Sequence, residues 1–286
     1  MKLIFDGDSW TFGCEIVDPV LAAQHPRDTH PGVYDFKEAN DYYRIPKIYP
    51  HYMAKQLDCD YVNLSWPADD NRTIIERTMS YISTEYLSCN KSTDDIFVII
   101  GWTSPERNSF WWKNGGFSCK FRLWPQVPYF DDKKMAKLWK MYVQHMWNPE
   151  EYIPRHVSAI TQFQNFCNAH NIKWLCYNAF YQTPNENPGN WQDLNMLEEV
   201  KTVDTKLHMY HRFDNGKRNV QHLNFESLWS TVDPIRFYKK DQPNSTFKSF
   251  IEANVDDPLV GWHPSPSGHE AWASELVRYI KENNLL

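Results

Sequence analysis

The sequence predicts a three-layer α/β fold, with a parallel sheet of about five strands covered by helices on both faces and the first strand central. Three observations predict it. Short, almost continuously apolar runs such as KLIF and DIFVIIGW have the character of strands buried on both faces. These runs alternate with helix-length amphipathic segments, the pattern of a parallel sheet built from right-handed crossovers. No internal repeat, low-complexity tract or linker breaks the alternation, so residues 1–286 read as one domain with insertions at about 14–44 and 103–131.

The first strand is Lys2 to Phe5, stopped by Gly7. Cys14 to Arg44 reads as a long irregular insertion, because Pro19, Pro26, Pro31 and Gly32 punctuate it. A helix is expected over Pro46 to Leu57 and a strand over Asp60 to Ser65. Asn71 can cap the next helix, Arg72 to Leu87, in which Ile74, Ile75, Met79 and Ile82 recur near helical spacing. Asp95 to Trp102 is the plainest buried strand. After the second irregular region come a helix over about Asp132 to Trp147 and another to about His170, started by Asn148 and Pro149 with Glu150 and Glu151 on the favourable end of its dipole. KWLCYNA makes a fourth strand. Tyr181 to Asp241 is mixed, with a loop at TPNENPGN, and Gly268 to Glu282 closes the chain as an amphipathic helix with Ala271, Trp272, Leu276 and Ile280 inward.

Composition narrows the function. Hydrophobic residues make up 42% of the 286, ample for a core. A net charge of −6 and a pI near 6.0 leave no basic footprint for a phosphate backbone, so nucleic acid is not an expected partner. No stretch reads as a signal peptide or a spanning helix, which predicts a soluble chain made in the cytoplasm without membrane insertion. The six cysteines lack a paired or ligand-like spacing, so free thiols are expected. His208 and His211 in HMYH, with His222, have no defined acidic or thiolate complement; neither metal nor cofactor is expected. The 13 tryptophans against 10 glycines fit either a tightly filled core or a surface on which sugar rings stack. Trp111 and Trp112 cannot both point inward from a loop, which makes a glycan- or acyl-binding wall a candidate role for the region between Trp102 and Trp147.

The chemistry sits at the two ends of the chain. FDGDSW puts Ser9 just past the C-terminal end of the first strand, the sheet edge where open α/β proteins bind ligands. WHPSPSGHEAW puts His263 just before the last helix. A hydroxyl needs a positioned base to attack a carbonyl, and these two residues form a candidate nucleophile and base. Taken singly, Ser9 reads as a turn or cap residue and His263 as a polar residue at a helix entrance; only the joint placement favours catalysis.

FDGDSW resembles the first block of the GDSL, or SGNH, hydrolase family, and HPSPSGH resembles its last. NLSWPADDN and GWTSPER resemble the two middle blocks at the ends of the second and third strands. The wording of GDSWTFG with GWTSPER is also similar to SGNH-type proteins of tailed phages and their hosts. The resemblance implies a flavodoxin-like strand order and a serine ester hydrolase, with Ser9 as nucleophile and first oxyanion donor and His263 as general base. The glycine that supplies a second backbone donor falls on Ala68 or Asp69. The oxyanion asparagine falls on Thr103, followed by Ser104, with Asn71 a substitute donor. The acid three residues before the histidine falls on Val260, so Asp257, next to Asp256, is the candidate replacement and a Ser-His dyad the alternative. Arg107 is expected to pair with Glu106 or another carboxylate rather than clamp an anionic substrate. The expected substrate is a small-molecule or glycan ester carrying a short acyl, such as acetyl, group. The same pair could serve acyl transfer, and a carbohydrate-binding protein with weak or no turnover is the other reading.

Overall fold

Side-chain alternation along four parallel strands decides the layers of this computed structural model, which describes residues 1–24, 31–114, 117–123, 133–145, 149–180 and 225–286. The strands are β1 (Lys2–Asp6), β2 (Asp60–Asn63), β3 (Ile96–Trp102) and, numbered after the hairpin below, β6 (Lys173–Asn178). Their order is β2-β1-β3-β6, the flavodoxin-like arrangement with the first strand inside the sheet. In register, Phe5 stands opposite Asn63 on one side and Ile99 on the other. Leu3, Phe5, Phe97, Ile99, Leu175 and Tyr177 point to one face, whereas Ile4, Val98, Ile100, Trp174 and Cys176 point to the other. Both sets are buried, which is why the strands read as continuous apolar runs.

Helices cover both faces. On the first lie α4 (Tyr49–Leu57), α9 (Phe247–Asn254) and α10 (Pro266–Glu282), which contribute Tyr49, Met53, Phe247, Ile251, Trp272 and Leu276. The rings of Phe247 and Trp272 stack at 4.8 Å. On the second face lie α5 (Asn71–Ile82) and α7 (Pro149–Ala169), with Ile74, Ile75, Val157, Ile160 and Phe163 against the sheet. A short π-helical turn, Ser83–Leu87, extends α5.

The expected parallel sheet is present, with four strands among the described residues and a single parallel bridge from Cys176 to Phe237 beyond them, where Cys176 N–H donates to Arg236 O. Several finer expectations need correcting. The cap of α5 is Asp70, whose carboxylate accepts from Thr73 N–H at 2.8 Å; Asn71 is already helical. Residues 14–44 are less irregular than their prolines suggest, because Pro19 and Pro31 begin helical turns: α2 (Pro19–Gln24) and a 3₁₀ turn, Pro31–Tyr34, precede α3 (Glu38–Arg44). Within 103–131 the described residues form an antiparallel hairpin, β4 (Asn108–Asn114) and β5 (Phe117–Leu123). Then come α6 (Lys133–His145) and, beyond β6, α8 (Phe225–Ser230). The expected loop at TPNENPGN lies outside the described residues. Among those described, no helix is long and apolar enough to cross a membrane.

One buried histidine links the last helix to the site's flank. His269 of α10 is fully buried and stacks on Tyr49, and its Nδ1 accepts the Tyr49 N–H, an orphan donor of the first turn of α4, at 3.2 Å. Burial first, then the neighbouring His263 and Arg44, push its imidazole down to about 3. Such a group stabilises the fold fully above its unfolded value of 6.5, and the contribution is lost as pH falls from there toward 3. Between pH 7.5 and 5 the wild type should therefore lose about 2 kcal/mol more than His269→Asn, measured by urea unfolding. Parallel losses in the two proteins would mean that His269 is protonated in the fold.

Candidate active site

Ser9 occupies the first position of α1 (Ser9–Phe12), a single turn that begins where β1 ends. Asp8 makes this turn. Its backbone is extended, its Oδ1 accepts from Trp10 N–H at 3.0 Å, and Gly13 closes the turn at φ +83°, where an L side chain is strained. Oδ2 of the same buried carboxylate accepts from Thr103 Oγ1 at 2.6 Å and from Arg107 Nη1 at 2.7 Å. Arg107 thus pairs with Asp8, and its guanidinium lies 5.4 Å from the Phe180 ring centroid.

The loop after β2 is tied to the same edge. Trp66 N–H donates to Gly7 O at 3.3 Å, and Arg77 of α5 binds Asp6, Gly7 O and Asp69 together. Ala68, at a position where the resemblance expects glycine, sits at φ +58° in the left-handed region. The N–H groups of Ser9 and Ala68 make no hydrogen bond among the described residues, whereas that of Asp69 reaches Trp66 O at 3.4 Å. Two backbone donors are therefore uncommitted at this edge, and Ala68 fits that role better than Asp69.

Thr103 and Asn71 are placed differently from their expected use. Asn71 Oδ1 accepts from Thr103 N–H at 2.9 Å, while its Nδ2 donates to Thr103 O and meets His156 Nδ1, each at 3.0 Å. Burial pushes His156 down to about 4, which keeps the ring a neutral acceptor. Both amide hydrogens are spent, so Asn71 is a lock between α5, β3 and α7 and not a free oxyanion donor. The Thr103 hydroxyl is committed to Asp8. Ser104 is buried beside them, and its carbonyl accepts Arg107 N–H at 3.2 Å.

His263 lies in β8 (His263–Pro264), paired with β7 (Leu259–Val260), and β8 packs against α1. The fold thus brings the segments carrying Ser9 and His263 together. The carboxylate at the imidazole is Glu15, with Oε2 3.1 Å from His263 Nδ1, close but not aligned as a hydrogen bond. Apo sites often hold such contacts loosely. Asp257 is exposed, and its backbone carbonyl, rather than its carboxylate, is used, accepting from Ser265 Oγ at 2.5 Å and Ser267 Oγ at 3.2 Å. Asp256 is exposed too. Sequence reasoning missed Glu15 by searching only upstream of the histidine; the available signal was a glutamate six residues after the serine, just past Gly13.

Aromatic rings flank the edge. Phe36 and Trp66, 59% and 48% exposed, pack at 5.1 Å, and both touch Phe12 of α1. Trp262, next to His263, is 81% exposed. Trp102 is buried in the core, and Trp139 of α6 is half-buried. The side chains of Trp111 and Trp112, with Trp124, Trp147, His208, His211 and His222, lie outside the described residues. Among the described residues no cluster of His, Cys, Asp and Glu is arranged to hold a metal ion.

A family model described as "Family of unknown function (DUF6071)" matches residues 25–219, more than half of the chain, and leaves Ser9, Glu15 and His263 outside the matched segment. No curated protein matches the sequence. Among solved structures, the chain is similar to the acetyl xylan esterase Est2A from Butyrivibrio proteoclasticus, at 14% identity and a TM-score of 0.46 over 99% of this chain and 64% of that one. It is similar to a carbohydrate esterase family 2 enzyme from Corynascus thermopiles, at 12% identity and 0.45 over 99% and 66%. It is also similar to a chain assigned to the G-D-S-L lipolytic family from Desulfitobacterium hafniense DCB-2, at 11% and 0.42 over 97% and 98%. The phage-type wording of the first and third blocks finds no counterpart in these names.

The Asn71 lock has a measurable consequence. Asn71→Ala leaves the buried Thr103 N–H and carbonyl and His156 Nδ1 without their partner, which should cost about 2–4 kcal/mol in chemical denaturation. A loss below about 0.5 kcal/mol, the level of a neutral surface change, would show that the lock is idle.

Proposed function

The chain belongs to the DUF6071 family of unknown function, and from the chemistry at its sheet edge we propose that it is a serine esterase removing short acyl groups from a carbohydrate. The observation that carries this reading is the pairing of α1, which starts on Ser9 at the C-terminal end of β1, with β8, which carries His263. In a β2-β1-β3 sheet this end lies at the point where the strand order reverses, between β1 and β3, where open α/β sheets bind ligands.

In the proposed reaction Ser9 Oγ attacks the ester carbonyl while His263 takes its proton. The oxyanion is met by the N–H groups of Ser9 and Ala68, both uncommitted among the described residues. The imidazolium returns the proton to the departing sugar oxygen, leaving an acyl-serine. Water, deprotonated by the same imidazole, then releases the acid and restores Ser9. The exposed Phe36, Trp66 and Trp262 suit the apolar face of a sugar ring.

A second reading, glycan binding with little or no turnover, is favoured by the commitment of Thr103 and Asn71, which leaves no side-chain oxyanion donor at those two positions. A lost donor of this kind typically slows turnover about 10²- to 10³-fold. Acyl transfer to a second sugar would use the same steps with a different acceptor.

The test is acetate release from p-nitrophenyl acetate and an acetylated monosaccharide. Ser9→Ala and His263→Ala should each lower kcat/KM by at least about 10³-fold with unchanged circular dichroism, because members of one nucleophilic unit fail together. Equal turnover by wild type and Ser9→Ala would assign the reaction to another group. Binding of the sugar without release of acetate would favour the second reading.

A further inference from the structure

We infer that Glu15 is the positioning residue that holds His263 in its working tautomer, supplying from the nucleophile's own end of the chain the acid that Val260 does not provide. The inference rests on the Ser9–His263 reading above. It starts from the 3.1 Å approach of Glu15 Oε2 to His263 Nδ1. The same oxygen accepts the Trp262 N–H at 2.9 Å, so the carboxylate is docked on the backbone turn that delivers the histidine.

The surroundings are built to admit this carboxylate. Gly261 lies at φ +59°, and a Cβ there would collide with Glu15 Oε2, so glycine at this turn both allows the backbone and leaves room for the acid. Glu15 itself sits at φ +65°, a conformation strained for a residue with a side chain. That conformation is held by its N–H, which donates to the buried Asp35 Oδ1 at 2.7 Å. Glycine would occupy the position without strain, so the strain is explained by what the side chain reaches. Glu15 is 4% exposed, and a buried carboxylate needs a partner able to carry positive charge. Asp35, Cys14, Arg44 and His269 stand around the pair, and the two nitrogens nearest Oε2, Trp262 N–H in a hydrogen bond and His263 Nδ1 at 3.1 Å, both come from the 262–263 segment. A carboxylate on Nδ1 leaves the other ring nitrogen free to take the serine proton and stabilises the imidazolium that results.

The experiment has a kinetic and a spectroscopic arm. Glu15→Gln should lower kcat about 10²- to 10⁴-fold with KM within about threefold, and Glu15→Asp should recover part of it, since charge returns on a shorter arm. Asp35→Asn, which keeps an acceptor for the Glu15 N–H, should cost far less. Nitrogen-15 spectra of imidazole-labelled protein at pH 8 should show wild-type His263 as the Nδ1–H tautomer and Glu15→Ala largely as Nε2–H. Full kcat in Glu15→Gln beside inactive Ser9→Ala and His263→Ala would overturn the inference and leave the esterase reading standing. A larger loss in Asp35→Asn than in Glu15→Gln would overturn it in favour of Asp35. Were the wild type to show no Ser9-dependent turnover, the esterase reading would fall, and a wild-type Nε2–H tautomer would then reject the Glu15 contact on its own.

Discussion

The sheet edge that carries Ser9 is held by one cation shared between two buried carboxylates. Arg77 of α5 pairs with Asp6 at the last position of β1 and with Asp69 in the loop after β2, and it also donates to Gly7 O. Asp6 has no solvent exposure, and burial pushes its carboxyl up even though Arg77, Thr78 and the Gly7 N–H all stabilise its charge. Removing one partner of such a group is costly, about 3–5 kcal/mol, because the other charge is left buried and alone. The arrangement therefore fixes, against a helix of the second layer, the two backbone segments that present Ser9 and Ala68. Asp8 repeats the device one residue on, tying the Ser9 turn to Thr103 and Arg107 beyond β3.

Two consequences follow for the chemistry. Side chains that the family resemblance would assign to the oxyanion are here used to hold loops together, so the proposed reaction relies on backbone N–H groups for charge stabilisation. The proposed acid likewise has a new address, Glu15. Glu15 and His263 are 248 residues apart in sequence, and they meet because α1 and β8 share one end of the sheet. The exposed rings of Phe36, Trp66 and Trp262 flank this edge, so the proposed binding surface and the proposed reactive groups share neighbouring loops.

What the sequence made legible was local. DIFVIIGW and KLIF are strands on sight because both faces are buried, and the GDS and HPSPSGH blocks announce Ser9 and His263 because their turns have short-range signatures. The hairpin Asn108–Leu123 did carry a local signal, the Asn-Gly-Gly between its two strands, which a reading of 103–131 as one irregular insertion passed over; the helices within 14–44 were hidden because proline both breaks and begins helices. Asn71 read as a cap because its neighbour Asp70 takes that role with the same chemistry. The partners of Thr103, Arg107 and Glu15 lie across the sheet, and a contact set by strand order has no sequence spacing to betray it.

Covalent capture reads whether Ser9 is the activated nucleophile of the proposed reaction. Native protein treated with a fluorophosphonate and mapped by peptide mass spectrometry should carry one phosphonyl adduct, on Ser9, at a rate reduced to background in His263→Ala. An adduct confined to another residue, or none while the protein hydrolyses esters at full rate, would contradict the account.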